Sequence, residues 1–309
     1  MSTLELEKSV TFQNILIATD FSKASQAALK YAAGLAHQYH AKLHVLNVVA
    51  PLARAAIPVD SLPLDLDRTI TQSGLHLKQF VASNLMEDLQ HEEIVGRGFI
   101  PEVVEKMIAD RRIDLLVVGT RGHSAPAQLL MGSVAEELFR SANCPVLTIG
   151  PSINMQKTPG IRRIVFATDF GTASSQALPY AIDLVRQSNG ELILLHAVQP
   201  APVSETDPFW HLAAEAIEAQ KAQEALAYRR LDSLLPINLD LGCKVRKRVI
   251  CHFVPDAILM AAFEEQADLI VMGVKKASAR MAPLKSHIPW TTAHEVVREA
   301  PCPVLTVRA

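Results

Sequence analysis

The sequence contains the same order of segments twice, and this repeat constrains the fold more than any other feature. NILIATDFSKASQAALKYAAGLA at 14–36 corresponds to RIVFATDFGTASSQALPYAIDLV at 163–185. Further pairs follow in the same order: AKLHVLNVVAP with GELILLHAVQP, GFIPEVVEKMIADRRIDLLVVG with HFVPDAILMAAFEEQADLIVMG, and NCPVLTI with PCPVLTV. Such matching indicates a tandem duplication. We therefore predict two domains, at 1–150 and 161–309, joined by the linker-like segment PSINMQKTPG at 151–160.

Each half alternates short apolar runs with longer segments of helical period. Runs such as ILIA, LLVV and VLTI are typical of strands buried on both faces, as a parallel sheet requires. We expect one helix after Ser22, which would be its N-cap, and others beginning at Pro101 and Pro255. The order βαβαβαβαβ predicts an α/β fold in which each half is a doubly wound, five-stranded parallel sheet. The expected strand order is 3-2-1-4-5.

A glycine pattern occurs in the first half only. After the apolar run DLLVV, the residues Gly119, Gly122, Gly132 and Ser133 have the spacing G-x2-G-x9-G-S. Glycine lets backbone N–H groups approach an anion closely, and a helix that opens near Ser133 would direct free N–H groups at a phosphate. The pattern alone fits ordinary turns and a helix-capping serine equally well.

The second half has lost most of this pattern. Gly273 remains, but Lys276, Trp290 and Thr291 occupy the positions of the other glycines and the serine. The segment between them, KKASARMAPLKSHIPW, is basic and interrupted by proline, so it does not predict the same phosphate loop. Asp169 is nevertheless retained. We therefore predict one working phosphate site per chain and a structural or other use for the second domain.

Asp20 is expected to lie beside the glycine loop. In a sheet of order 3-2-1-4-5, ligands bind beyond the carboxyl ends of the strands, where the winding reverses between strands 1 and 4. Asp20 ends strand 1, and Gly119 follows strand 4. A carboxylate repels phosphate, so Asp20 is expected to accept a hydrogen bond from a ribose hydroxyl or an adenine amine. Val48, near the end of strand 2, offers an apolar wall for a base.

The stretch DLLVVGTRG…MGSVAEELFRSANCPVLTI, together with the duplicated blocks, resembles the universal stress protein (UspA) family in a tandem two-domain form. The resemblance implies an adenine nucleotide α-hydrolase-like, Rossmann-like fold, with the two domains packed as a pseudo-dimer. It also implies that ATP or a related adenine nucleotide, which Mg²⁺ can accompany, is bound without a dedicated catalytic centre. The expected function is a regulatory or protective stress response.

The same resemblance assigns roles to individual residues. Asp20 and Val48 would face the adenosine, close to Ala18, which stands where many relatives have proline. Val118 and Gly119 would lie at the ribose and the α-phosphate. Four residues would hold the remaining phosphates: Gly122, Gly132, Ser133 and Val134.

Composition excludes several classes of function. The formal net charge of −2 argues against a nucleic-acid partner, which needs a surplus of basic residues. The sequence has no apolar run of about 18 residues and no secretory signal at MSTLELEKSVTF, so we expect a cytoplasmic protein without a membrane partner. The four cysteines have neither C-x-x-C nor zinc spacing, which fits a reducing compartment. Either the two halves pair with each other within one chain, or two whole chains assemble into a homodimer.

Other functions stay open. No nucleophile elbow, H-E-x-x-H helix or P-loop is present, so we predict no catalytic residue, although slow ATP hydrolysis would be compatible with the pattern. A metal or hydrophobic ligand in the second domain could use Cys251, His252 and His196, but adjacent residues of a strand point to opposite faces. A ligand-free interaction module would use the amphipathic helix predicted at 200–236.

Overall fold

The computed structural model describes residues 10–50, 66–85, 88–120, 132–150, 153, 160–200, 210–235, 241–275 and 289–309. The chain divides into two compact units: one is Thr11–Pro159, and the other is Gly160–Ala309 together with Val10. Within the described ranges, none of the helices combines the length and the apolar character that crossing a bilayer requires.

The described part of the N-terminal unit is a parallel sheet whose strands alternate with helices. The strands are β1 (Asn14–Ala18), β2 (Lys42–Val49), β3 (His91–Arg97), β4 (Leu115–Gly119) and β5 (Val146–Ile149). The helices are α1 (Lys23–Tyr39), α2 (Leu66–Ala82), α3 (Ile100–Asp110) and α4 (Ser133–Ser141). The strands lie in the order β3-β2-β1-β4-β5, and each neighbouring pair is parallel. This is the predicted order 3-2-1-4-5.

The described part of the C-terminal unit repeats that arrangement. Its strands are β6 (Arg163–Ala167), β7 (Glu191–Val198), β8 (Lys244–Cys251), β9 (Leu269–Val274) and β10 (Val304–Arg308). Its helices are α5 (Thr172–Gln187), α6 (Trp210–Asp232), α7 (Val254–Glu264) and α8 (Pro289–Glu299). The order β8-β7-β6-β9-β10 with parallel pairing matches the N-terminal unit strand for strand. The predicted doubly wound α/β fold is confirmed in both units.

The central strands are buried on both faces, as their unbroken apolar runs predict. Ile15, Leu16 and Ile17 of β1 are wholly inaccessible to solvent, although consecutive side chains of a strand point to opposite faces. Helices must therefore cover both faces of the sheet. Burying each such side chain contributes about 1.5–3 kcal/mol, so these strands form the stable frame from which the loops at the carboxyl edge extend.

The helix starts agree with the sequence prediction to within a residue. Ser22 is the N-cap of α1, and its hydroxyl accepts from the backbone N–H of Ser25 at 3.2 Å, which confirms the predicted cap. The helices α3 and α7 begin at Ile100 and Val254, one residue before the predicted prolines. The difference has a simple cause, because the N–H of the second helical residue also lacks an intrahelical partner and proline loses nothing there.

Candidate functional site

The carboxyl ends of β1 and β4 lie side by side, and the candidate site is built on this edge. Ala18 pairs with Leu46 of β2 on one side and with Val118 of β4 on the other. Asp20 leaves the sheet two residues after Ala18, and Gly119 ends β4 one residue after Val118. The structure therefore places the predicted carboxylate and the start of the glycine segment at one crossover point of the sheet, where α/β folds hold ligands.

Asp20 is fixed in a hydrogen-bonded turn that leads into α1. Its Oδ1 accepts from the backbone N–H of Ser22 and from the hydroxyl of Ser25, both at 3.0 Å. The hydroxyl oxygen of Thr19 accepts from the backbone N–H of Phe21, also at 3.0 Å. Phe21 itself has φ 64°, a left-handed conformation that is uncommon for a bulky residue. These contacts orient the carboxylate before any ligand arrives.

The ring of Phe21 is held in place by α2. It stacks on the ring of His76, with centroids 4.1 Å apart and an interplanar angle of 22°. The ring of Phe80 meets it edge-on with a centroid distance of 5.5 Å. His76 and Phe80 were not predicted as site residues, and their spacing of four, which puts them on one helix face, was the only signal in the sequence.

Asn47 ties the end of β1 to the neighbouring elements. Its Nδ2 donates to the carbonyl of Thr19 at 2.8 Å, and its Oδ1 accepts from the hydroxyl of Ser73 at 3.0 Å. The carbonyl of Thr19 can only accept, so the amide group that faces it must be the NH₂. Asn47 is buried and was not predicted as a functional residue. It connects β1, β2 and α2 directly beneath the Asp20 turn.

Three predicted residues share one apolar face beside this turn. Ala18, Val48 and Val118 belong to a single hydrophobic cluster that includes Leu46 and Val104. Val118 is fully buried, whereas Ala18 and Val48 are only partly covered. The structure thus brings together an apolar surface that extends from the core to the carboxyl edge, next to Asp20.

Glycine is required at position 119 because the end of β4 and the first turn of α1 approach each other closely there. A Cβ at this position would lie 2.8 Å from the carbonyl carbon of Ala24 and 2.9 Å from its oxygen. Gly119 lies in β4 and is not left-handed, so a positive φ is not the reason for glycine at this position. Its role in the described structure is to let the first turn of α1 pack against the end of β4.

The N-terminus of α4 opens at the same edge. The carbonyl of Thr120, the residue after β4, accepts from the backbone N–H of Gly132 at 2.7 Å. Gly132 is the N-cap of α4 and supplies no side-chain cap, while Ser133 and Val134 are exposed in the first turn. The alternative that Ser133 caps the helix is wrong, because Ser133 is already helical. With glycine at the cap, no side chain competes for the first N–H groups of α4.

Some predicted positions lie outside the described residues. These are Gly122 and Lys276, together with the side chains of Trp290 and Thr291.

The C-terminal unit repeats the carboxylate turn although its glycine pattern is lost. Asp169 Oδ1 accepts from the backbone N–H of Gly171 at 2.8 Å and from the hydroxyl of Ser174 at 2.7 Å. Phe170 has φ 60°, as Phe21 has in the first unit. Burial opposes ionisation of Asp169, but the hydrogen bonds from Ser174 and Gly171 and the charge of Lys275 outweigh it and lower the pKa of this carboxyl.

The metal hypothesis finds no ligand set in the described part of the chain. Cys251 ends β8 and His252 follows it, but no cluster of three or more His, Cys, Asp or Glu side chains is positioned to hold an ion there. Burial, and after it the charge of Glu224, raises the pKa of the Cys251 thiol. A metal ligand must be the thiolate, so this environment works against metal binding.

The fold and the edge just described define a class of protein: a tandem pair of doubly wound α/β units, each with a fixed aspartate turn at the crossover of its sheet. The sequence model of the Universal stress protein family matches residues 11–150 and 160–308. The chain therefore belongs to the universal stress protein family.

Individual relatives agree with this assignment. A universal stress protein of Mycobacterium tuberculosis is 27% identical over 219 residues, which cover 69% of this chain and 73% of the relative. One of Mycolicibacterium smegmatis is 24% identical and matches 97% of this chain and 99% of its own length. The crystal structure of a universal stress protein from Archaeoglobus fulgidus has the same fold, with a TM-score of 0.66, 22% identity and coverage of 96% and 97% of the two chains.

Proposed function

We propose that the N-terminal unit binds an adenine nucleotide, ATP or a close relative, and that the protein acts in a regulatory or protective stress response. The observation that carries this proposal is the shared edge: the oriented Asp20 carboxylate and the uncapped N-terminus of α4 both extend from the paired ends of β1 and β4. A nucleotide needs an acceptor for its nucleoside and donors for its phosphates, and this edge offers both.

Each part of the nucleotide has a chemically matched surface. Asp20 accepts from a ribose hydroxyl or from the adenine amine, and the partly covered Ala18 and Val48 pack against the base. We place the α-phosphate near Gly119, at the carboxyl end of β4. The remaining phosphates accept from the first N–H groups of α4 and from the Ser133 hydroxyl, where the helix dipole places about half a positive charge.

A magnesium ion would depend on the nucleotide for most of its ligands. Asp20 is the single carboxylate among the predicted site residues, and its Oδ1 already accepts two hydrogen bonds. Mg²⁺ keeps several waters and is commonly held by substrate phosphates together with one or two carboxylates. The residues present therefore fit an ion that arrives with the phosphates, and nothing in this proposal requires it.

The proposed role is binding without fast catalysis. Phosphoryl transfer needs a positioned base or water-orienting residue in addition to phosphate contacts. The residues assigned to the site supply one carboxylate, already engaged with Ser22 and Ser25, and otherwise apolar or hydroxyl groups. We infer that bound nucleotide acts as a signal or a stabiliser, and that any turnover is slow.

Matched substitutions in the two units test the proposal. Asp20→Asn should weaken ATP binding by about 10- to 150-fold, since a hydrogen bond to a charged group contributes about 1.5–3 kcal/mol. Asp169→Asn changes the equivalent turn of the C-terminal unit and should leave the ATP affinity unchanged. Isothermal titration calorimetry of the full chain measures both. If Asp169→Asn lost ATP binding while Asp20→Asn kept it, the site would lie in the C-terminal unit and the proposal would be wrong.

A further inference from the structure

The helix α7 of the C-terminal unit has an apolar outer face, formed by Phe253, Met260 and Phe263. These side chains are 64%, 40% and 77% exposed. Phe253 is the N-cap of the helix, and the spacings of seven and three residues put all three on one side. The buried residues of α7 lie on its other side: Ala257, Ile258, Ala261 and Ala262. A helix that is apolar on both sides is normally buried, yet among the residues that the structure describes nothing covers this outer face.

The matching helix of the N-terminal unit, α3, does not have such a face. Lys106 stands where α7 has Met260, and Ala109 stands where α7 has Phe263. Both residues are exposed. The two helices have the same length and the same proline in the first turn, so the fold itself does not require large apolar residues at these positions. Exposed apolar patches of this kind mark interaction surfaces.

The charges beside the outer face of α7 are largely offset within the chain. Arg248 contacts two carboxylates, Glu264 at 2.8 Å and Glu265 at 2.9 Å. The carboxylate of Asp256 lies 3.3 Å from Nδ1 of His252. A contact between two identical surfaces brings like charges together, which is unfavourable where those charges are unpaired. The outer face of α7 meets its own copy with little of this cost.

The same charges argue against a membrane as the partner. Helices that lie on a bilayer carry lysine and arginine beside their apolar face, and these attract anionic lipid. Beside the outer face of α7, Arg248 is already engaged by Glu264 and Glu265. The exposed Asp256 and Glu264 would be repelled by anionic headgroups.

An antiparallel pair of α7 helices brings the apolar side chains of two copies together. In a contact with two-fold symmetry, residue i of one copy meets residue j of the other, and the reverse. With the axis at Ile258, midway in sequence between Phe253 and Phe263, each of these phenylalanines meets the other one in the partner copy. Met260 then lies two residues from the axis. Aromatic pairs of this kind add to the gain from burial alone.

The exposed area indicates how strong such a contact is. An aromatic side chain buries about 150–250 Å², so the exposed fractions of Phe253 and Phe263 offer roughly 200–350 Å² per chain. A stable interface buries about 800 Å² per partner, more than twice this area. The rest must come from Met260 and the polar rim of the helix. We therefore expect a weak, reversible association rather than a permanent one.

We propose that the outer face of α7 is a self-association surface, through which two copies of this chain form a reversible dimer with two-fold symmetry. The observations behind it are the exposed Phe253, Met260 and Phe263, their replacement by polar or small residues in α3, and the offset charges beside them. The dimer does not depend on the nucleotide proposed for the N-terminal unit.

Sedimentation velocity of the full chain, from low to high micromolar concentration, tests the proposal. The wild type should shift from monomer to dimer. Met260→Lys/Phe263→Ala, which introduces the residues of α3, should raise the dimer Kd by a factor of about 10 or more. Because α3 accommodates both residues, this variant should keep its fold by circular dichroism. The matched control is Leu226→Lys in α6, which removes another exposed apolar side chain and should leave the Kd unchanged.

Opposite charges test the register of the contact. Phe253→Glu and Phe263→Lys should each weaken the dimer, and the two together should restore it in part, because each new carboxylate then meets a new ammonium group of the partner copy.

The proposal is overturned if the wild type stays monomeric throughout, if Met260→Lys/Phe263→Ala dimerises as the wild type does, or if the combined charge variant is no stronger than the single ones. A monomeric wild type that binds vesicles of anionic phospholipid, and loses that binding in Met260→Lys/Phe263→Ala, would also overturn it and assign the face to a membrane.

Discussion

At the residue scale, the two units use the same strained turn to present a carboxylate. Phe21 and Phe170 follow Asp20 and Asp169, and both have φ near +60°. A left-handed conformation costs a non-glycine residue about 1–2 kcal/mol, so other contacts must offset it. In the N-terminal unit those contacts come from His76 and Phe80 of α2.

This balance predicts an order of stability for two substitutions of Phe21. Both Phe21→Ala and Phe21→Gly remove the ring packing, but only alanine retains the cost of positive φ. We expect both variants to be less stable than the wild type, with glycine more stable than alanine by about 1 kcal/mol. Urea denaturation measures the difference. Equal stabilities of the two variants would mean that the turn relaxes when the ring is lost.

The lowered pKa of Asp169 also predicts how stability depends on pH. Because the folded pKa is below the unfolded value of 3.8, ionised Asp169 contributes stability above the unfolded pKa. That contribution is lost as the pH falls through the folded pKa. In Asp169→Asn the free energy of unfolding should therefore decline less steeply below about pH 4 than in the wild type. Parallel urea titrations at pH 7, 4 and 3 check this, and identical slopes would contradict it.

At the element scale, the packing of the first helix of each unit onto its sheet depends on one glycine. A Cβ on Gly273 would lie 2.1 to 2.3 Å from backbone atoms of Ala173 and Ser174, closer than the 2.8 Å contact at Gly119. Backbone atoms of a helix turn cannot rotate away as a side chain can, so the helix itself would have to shift.

We accordingly expect Gly119→Ala to destabilise the protein by about 1–3 kcal/mol and Gly273→Ala to cost more. Gly74 is the matched control, because it lies within α2 and a Cβ there would meet only Val95, at 3.9 Å. Gly74→Ala should raise stability by up to about 1 kcal/mol through helix propensity. Thermal unfolding compares the three variants. A neutral Gly119→Ala would show that α1 moves away at little cost.

The elements were predictable because their signals are local. The buried runs ILIA and LLVV, the Ser22 cap and the strand order all follow from neighbouring residues and from the rules for parallel sheets. The contacts of Asn47 with Ser73 and of Phe21 with His76 were missed, because they join residues 26 and 55 positions apart, by their numbering, and nothing local marks them. The close approach at Gly119 was missed for the same reason, since Ala24 belongs to another element.

At the scale of the whole molecule, the two copies of the fold differ in the residues at the carboxyl edge of their sheets. Both units retain the aspartate turn and the crossover of the sheet, and within the described residues a glycine-capped helix start accompanies them in the first unit, at α4. The second has His196 in place of Asn47 and a compact cavity. A duplicated domain can lose a site that its twin retains, and the proposed single nucleotide site of the N-terminal unit accords with this difference.

The number of ATP molecules bound per chain tests this division most directly. Native mass spectrometry of the full chain, titrated with ATP and Mg²⁺, resolves both the number of chains in an assembly and the number of ATP molecules bound to it. This division predicts one ATP per chain in the wild type and in Asp169→Asn, and none in Gly132→Val. Two ATP molecules per chain, or one that persists in Gly132→Val, would contradict it.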